Sequence, residues 1–243
     1  MNLAKGYFVT GTDTEVGKTL VSAALLWKLN AMDIDSVGFK PVVAGTYLAA
    51  DGSRLNEDLE SLRIASTTRT QYPPSANDLC PYILDAPVAP HLGASAQNIV
   101  IDPKVILSTF KKLQNTFSTV VVEGVGGFLV PINAEENMGD LAVNFDLPVI
   151  LVVGMRLGCI NHALLSCEAI AKRKLKLAGW VANTLNEPMS MLEENVSTLK
   201  TRIPAPFLGL IPRLSNHLVK PQNAPYSTEA LDFAAQHLNL ELL

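Results

Sequence analysis

The chain has 243 residues, of which 48% are hydrophobic and only 17% charged, and its formal net charge is −4. This excludes a disordered chain and leaves enough apolar material for a sheet covered on both faces. Two partners are also excluded: the richest basic run, 172–176, is no more than a solvated helix end, so no nucleic acid is expected, and the apolar run 148–153 is far too short to span a membrane.

A strand at 6–10 opens the pattern, followed by a glycine-rich turn and a helix whose apolar residues recur at helical spacing over 18–29. A second strand is expected at 36–43. The stretch 44–56 and the proline-rich stretch 72–91, with Pro73, Pro74, Pro81, Pro87 and Pro90, fit neither period and read as functional loops, since proline forbids continuous helix. Asp102 and Pro103 supply an N-cap and a first-turn proline for a helix reaching about residue 115. Strands at 119–123, 149–153, 177–183 and 206–211 then alternate with helices at 139–145, 161–172, 190–201 and 228–238. This alternation predicts an α/β fold, a mostly parallel β-sheet flanked by helices on both faces, in a single domain over 1–243. No basic segment precedes an apolar one at the N-terminus, so a cytoplasmic location is expected. Cys80, Cys159 and Cys167 form no C-x-x-C pair and are expected to be reduced thiols rather than a disulfide framework or a zinc site.

Between the first strand and the first helix stands Gly11-Thr12-Asp13-Thr14-Glu15-Val16-Gly17-Lys18-Thr19, the strand–loop–helix setting of a P-loop. The strict spacing wants glycine where Thr12 stands, with Gly11 displaced by one, but Gly17-Lys18-Thr19 is intact. In such a loop, backbone N–H groups and the positive helix end face phosphates, Lys18 neutralises β- and γ-oxygens, and the Thr19 hydroxyl ligates Mg²⁺. The plainer alternative is a glycine-rich turn capping a helix. With this motif the expected fold is P-loop NTPase-like.

A metal on Thr19 needs a carboxylate from elsewhere. Glu123, expected at a strand end and followed by Gly124-Val125-Gly126-Gly127, stands where a Walker B acid would, although strand-end carboxylates also cap turns. Asp58 is a second candidate, otherwise an ordinary helix-start acid. Lys40 interrupts an apolar strand near its carboxyl end. A buried lysine costs free energy unless paired, so Lys40 is expected either to face a phosphate-rich cleft opposite Lys18 or to snorkel from a sheet edge.

Five motifs in order carry a family resemblance: residues 11–19, Gly38-Phe39-Lys40-Pro41-Val42, Val122-Glu123-Gly124-Val125-Gly126-Gly127, Leu157-Gly158-Cys159-Ile160-Asn161-His162 and Gly179-Trp180-Val181-Ala182-Asn183. Together they resemble the dethiobiotin synthetase family over nearly the whole chain. The resemblance implies an ATP- and Mg²⁺-dependent cyclo-ligase of biotin biosynthesis. Its small-molecule substrates are 7,8-diaminononanoate, CO₂ and ATP, and it forms dethiobiotin through carbamate and carbamoyl-phosphate intermediates in a homodimer. By the same resemblance Lys40 and Lys18 are catalytic, and Glu15, Val16, Gly17, Lys18, Thr19 and Leu20 form the phosphate loop. Thr19, Asp58 and Glu123 are the implied Mg²⁺ ligands. The nucleotide is implied to touch Glu123, Gly124, Val125 and Gly126, then Pro212, Arg213 and Leu214, with Asn183 and Thr184 at the adenine edge.

The substrate is implied to meet Thr14, Lys40, Ala44, Cys159 and Asn161, the last two on a turn opening a helix whose positive end receives the substrate carboxylate of the neighbouring subunit. Ala44 departs from the family, where a serine hydroxyl is usual, and Thr46 is the nearest replacement. Cys159 reads as a small residue in a tight turn rather than a nucleophile, and neither His91 nor His162 is assigned to the chemistry. The alternative from another class is a P-loop switch ATPase acting with a protein partner. Such proteins often carry a second lysine early in the loop, where this chain has Asp13 and Glu15.

Overall fold

β-Branched and aromatic residues, which suit a pleated buried surface, dominate the segments that become the central strands. The computed structural model describes residues 5–49, 52–66, 74–185 and 187–243. In chain order these form β1 (Gly6–Gly11), α1 (Lys18–Ala31), β2 (Ser36–Phe39), β3 (Val42–Ala44), β4 (Tyr47–Leu48), β5 (Arg54–Leu55) and α2 (Glu57–Ala65). Next come α3 (Ala76–Leu79), β6 (Tyr82–Leu84), α4 (Pro90–Ala96), α5 (Pro103–Thr116), β7 (Thr119–Gly127), α6 (Met138–Phe145) and β8 (Val149–Met155). The chain continues through α7 (Cys159–Lys172), β9 (Leu177–Thr184), α8 (Leu192–Arg202), β10 (Phe207–Ile211) and α9 (Thr228–Gln236).

Six strands pair in the order β10-β9-β8-β1-β7-β2, every neighbouring pair parallel. Side chains alternate between the two faces of such a sheet with period two. Tyr7 and Val9 of β1 and Val121 of β7 pack with Leu25 and Leu26 of α1, Leu62 of α2 and Leu231 of α9. Phe8, Val120 and Val122 point the other way, to Phe110 of α5 and Phe145 of α6, whose rings meet edge to face at 4.7 Å. Helices therefore cover both faces, as the sequence pattern predicts. The chain leaves β1 toward the β2 side and later returns to the β8 side, so the crevice outside the carboxyl end of β1 is where a ligand collects in such a sheet. Among the described residues no helix is long and apolar enough to cross a membrane.

Three expectations change. The strand expected at 36–43 is broken after Phe39, because Pro41 has no N–H for the ladder and the Lys40 N–H goes instead to the Leu79 carbonyl at 2.9 Å. The chain then leaves the main sheet, and β3 pairs with β6. The strand expected to end at Glu123 continues to Gly127, with Gly11 opposite Gly127, so Glu123 lies inside β7 rather than at its end. The supposed loops 44–56 and 72–91 hold the β4–β5 hairpin, α3, β6 and the start of α4, where Pro90 occupies a first-turn position whose N–H has no helical partner anyway. Residues 50, 51, 72 and 73 of those stretches lie outside the described residues.

Candidate active site

Register and alternation assemble the centre. Phe39 of β2 pairs with Val122 of β7. Glu123 follows Val122 on β7, on the face that carries α1, and Lys40 is the first residue after β2, from where its side chain reaches the same face. Lys40 Nζ bonds Glu123 Oε1, and lies 3.2 Å from both the Gly124 carbonyl oxygen and Asp58 Oδ2. Helix α1 begins after Gly17, whose φ is 91°, and no side chain caps it, so its first-turn N–H groups are open to an anion. Within that turn the Thr19 hydroxyl lies 2.8 Å from Asp58 Oδ1 and 2.7 Å from Glu123 Oε1. Asp58 arrives from α2, a helix started by Asn56, whose side-chain oxygen accepts the N–H groups of Asp58 and Leu59 at 3.0 Å. Lys18 Nζ spans the phosphate loop and donates to the Asp13 carbonyl at 2.8 Å.

Burial sets the charges. Glu123 is 0% exposed and Lys40 2%, which removes the snorkelling alternative for Lys40. Burial pulls the Lys40 ammonium down, but the carboxylates of Asp58 and Glu123 outweigh it, and the group is held charged, above the ordinary lysine range. Burial, reinforced by the nearby Lys40 cation, lowers Lys18 to about 8. Burial pushes the Glu123 carboxyl up. Asp58 also feels burial, but Lys40 and the Thr19 hydroxyl bring its carboxyl below the usual range.

These groups line a cleft of about 1140 Å³. Of the other residues expected from the sequence, Thr14, Glu15, Gly17, Leu20 and Ala44 line it as well. So do Val125, Gly126, Asn183, Thr184 and Leu214. Val16 instead buries its side chain and offers its carbonyl to Asn183 Nδ2 at 3.0 Å, while Gly124 contributes its carbonyl to Lys40. Pro212 and Arg213 are not in the lining, although Leu214 beside them is. Cys159 and Asn161 sit in the first turn of α7, outside the cleft lining, and the next residue, His162, borders a smaller hollow of about 400 Å³ with Thr12, Thr14 and Phe128. Burial raises the Cys159 thiol, in keeping with a structural role. Thr46 does not replace the missing hydroxyl at Ala44: its own lies 3.5 Å from Asp85 Oδ1, and the residue is not in the cleft lining.

Several lining residues had no motif. Pro87, Val88, Ala89 and Pro90 fall in the proline-rich stretch expected to be functional, and Arg156, ion-paired with Asp13, directly follows β8 at the ligand-bearing edge. Lys220 and Tyr226 come from an irregular segment after β10, and nothing in their sequence marks them.

The same geometry bears on the metal. Among the described residues no three His, Cys, Asp or Glu side chains form a metal-binding group. Two carboxylates and a hydroxyl do converge, and one hydroxyl proton cannot serve Asp58 and Glu123 at once. Glu123 Oε2 is buried without a hydrogen-bond partner among the described residues. A small hard cation that takes one or two carboxylates and keeps positions for phosphate oxygens and water fits this donor set, which is the preference of Mg²⁺.

A family model described as an AAA domain matches residues 5–221. The ATP-dependent dethiobiotin synthetase BioD of Ralstonia nicotianae is 51% identical over 207 residues, covering 85% of this chain and 88% of its own. The protein of the same name from Aromatoleum aromaticum is 47% identical over 215 residues, covering 88% and 93%. The chain belongs to the dethiobiotin synthetase family.

Among solved structures, the MinD cell division protein of Aquifex aeolicus superposes with a TM-score of 0.57 at 15% identity, over 96% of this chain and 95% of that one. A ParA family ATPase from Chlorobium tepidum gives 0.55 at 13%, over 97% and 90%. At such identities the likeness concerns the P-loop NTPase-like fold alone, and it leaves membership of the dethiobiotin synthetase family to rest on the sequence relatives.

Proposed function

We propose that this chain, as one domain over 1–243, closes 7,8-diaminononanoate and CO₂ into dethiobiotin at the expense of ATP. We further propose that it works in the cytoplasm as a homodimer, with Cys159 and Asn161 serving the substrate carboxylate of the neighbouring subunit. The observation that carries the reading is the meeting of Lys18, Lys40, Thr19, Asp58 and Glu123 in one cleft at the open end of α1.

One amine of the diamine adds to CO₂ and loses a proton, giving a carbamate. The carbamate oxygen then takes the γ-phosphoryl group and releases ADP, and the second amine displaces phosphate to close the ring. Bringing an anionic carbamate to an anionic phosphate calls for positioning and positive charge above all. The N–H groups at the start of α1 and Lys18 hold the phosphates, with Glu15 to Leu20 as the loop around them. Lys40, kept cationic by its two carboxylates, neutralises charge on the transferring group. Thr19, Asp58 and Glu123 would hold Mg²⁺, which supplies further neutralisation of the phosphate oxygens. Asn183, whose amide nitrogen is committed to Val16, presents its oxygen to the exocyclic amine of adenine, with Thr184, Leu214 and the Gly124–Gly126 backbone completing the nucleotide site. Thr14 and Ala44 are the proposed substrate neighbours on the other side of Lys40.

Ala44 predicts a specific weakness. Restoring a hydroxyl with Ala44→Ser is expected to lower the diamine KM by a factor of about two to twelve, the worth of one net hydrogen bond, with little change in kcat. Steady-state kinetics at saturating ATP measure this, and an unchanged KM would remove Ala44 from the substrate site.

The function itself is tested by ADP release from Mg²⁺-ATP and bicarbonate with and without the diamine. Release that requires the diamine supports the synthetase. Release indifferent to it overturns the proposal and favours a switch ATPase awaiting a protein partner.

A further inference from the structure

The segment 212–227 joins β10 to α9 without a strand or helix of its own, and Leu214, Val219, Lys220 and Tyr226 from it line the main cleft. Two bonds fasten it to α2. Lys220 Nζ pairs with Glu57 Oε2 at 2.7 Å, and the Tyr226 N–H donates to Ser61 Oγ at 3.1 Å. Glu57 and Ser61 are four residues apart and so share one face of the helix, where the Ser61 hydroxyl also donates back to the Glu57 carbonyl at 2.7 Å. The Tyr226 ring lies beneath the ammonium, 5.8 Å from Lys220 Nζ to the ring centroid. Asp58, about 100° further round the same helical turn, faces Thr19 and Lys40. One turn of α2 thus holds the cleft's outer wall on one side and a carboxylate of the catalytic centre on another.

We propose that Lys220 is a positioning residue for the nucleotide: its ion pair with Glu57 clamps segment 212–227 to α2 and fixes the wall of the nucleotide site in register with Asp58. The pair spans two elements more than 160 positions apart in sequence. Leu214 and Tyr226 pack against the core and a turn bonds the Val219 N–H to the Ser215 carbonyl, but the segment has no ladder or helix, so the charged tie from Lys220 sets how closely its 219–226 stretch stands to α2. This inference rests on the proposed binding of ATP in the main cleft.

The test is steady-state kinetics with a melting measurement on the full chain. Lys220→Met is expected to raise the ATP KM about tenfold, with kcat changed less than about threefold and the diamine KM within about twofold. Glu57→Gln is expected to reproduce that effect, the double variant to be no worse than either single one, and Lys220→Arg to restore the ATP KM to within about threefold. Because the pair is partly exposed, Tm should move by no more than about 2 °C in each. An unchanged ATP KM in Lys220→Met overturns the proposal. So does a loss confined to Lys220 variants, which would mean direct contact with the nucleotide, and so does a large fall in Tm that tracks the loss of activity. ATP turnover that ignores the diamine yet responds to both members of the pair leaves the clamp standing and removes the synthetase reading alone.

Discussion

Lys40→Ala is expected to abolish measurable dethiobiotin formation, lowering diamine-dependent ADP release by about 10²–10³-fold, the scale of losing one preorganised charge at a reacting centre. It should also destabilise the fold. Glu123 is wholly buried and takes its hydrogen bonds from Lys40 and Thr19, so removing the ammonium strands a carboxylate in the core at a cost of roughly 3–5 kcal/mol. For a chain of this size that corresponds to a fall in Tm of about 10–15 °C. The two consequences are separable. Adding Glu123→Ala to Lys40→Ala removes the stranded charge, and most of the stability should return, while activity stays lost because both the ammonium and a proposed Mg²⁺ ligand are gone. Recovery of both together would show that Lys40 and Glu123 serve folding only. Burial holds the Glu123 carboxyl above its ordinary range even though the Lys40 ammonium pulls it down, so losing Lys40 should raise it further, and the native variant then binds a proton that the unfolded chain does not over a wider span of pH than the wild type. The stability deficit of Lys40→Ala therefore shrinks as pH falls from about 8 toward about 5, which chemical denaturation at the two pH values measures.

Gly17→Ala comes second, and it acts through two independent obstacles. The glycine caps α1 at φ 91°, a left-handed conformation that an L side chain enters only at a cost of about 1–3 kcal/mol. A Cβ there would also stand 2.1 Å from Asn183 Nδ2. Asn183 cannot yield freely, because the same amide donates to the Val16 carbonyl and keeps β9 against the phosphate loop. The loop must shift, and the shift moves the N–H groups that would cradle phosphate. Nucleotide affinity is expected to fall at least about tenfold, and Tm by roughly 5–10 °C for a net loss of about 2–3 kcal/mol. Calorimetric titration with Mg²⁺-ATP reads the first and a thermal melt the second. Wild-type affinity in Gly17→Ala would mean that this loop is not where the phosphates bind.

Much of this was legible from the chain itself. Strand and helix leave periodic traces in a single stretch of sequence, so the alternation behind the sheet and its two helical layers could be read directly. The P-loop motif is equally local, since its glycine, lysine and threonine stand at consecutive positions on one turn. Ends of elements were less legible where a proline or a glycine run had to be interpreted: Pro41 broke a strand that looked continuous, while Gly124 to Gly127 extended one that looked finished, because ladder hydrogen bonds need backbone and a partner rather than a side chain. Glu123, Asp58 and Lys40 could be named as candidates, but their mutual pairing could not. Lys40 and Glu123 are 83 residues apart, and Thr19 and Glu123 104, and only the register of β2 on β7 and the seating of α1 bring them together.

The clamp between Lys220 and Glu57 left no sequence trace at all, because neither residue is unusual in its own neighbourhood. By itself, then, the sequence determined the fold class, the strand–loop–helix motif and the family, all of which rest on local pattern and order along the chain. Only the tertiary structure decided which carboxylates face Lys40, which hydroxyl they share and what walls the cleft, since those depend on strand register and helix docking between residues far apart in sequence.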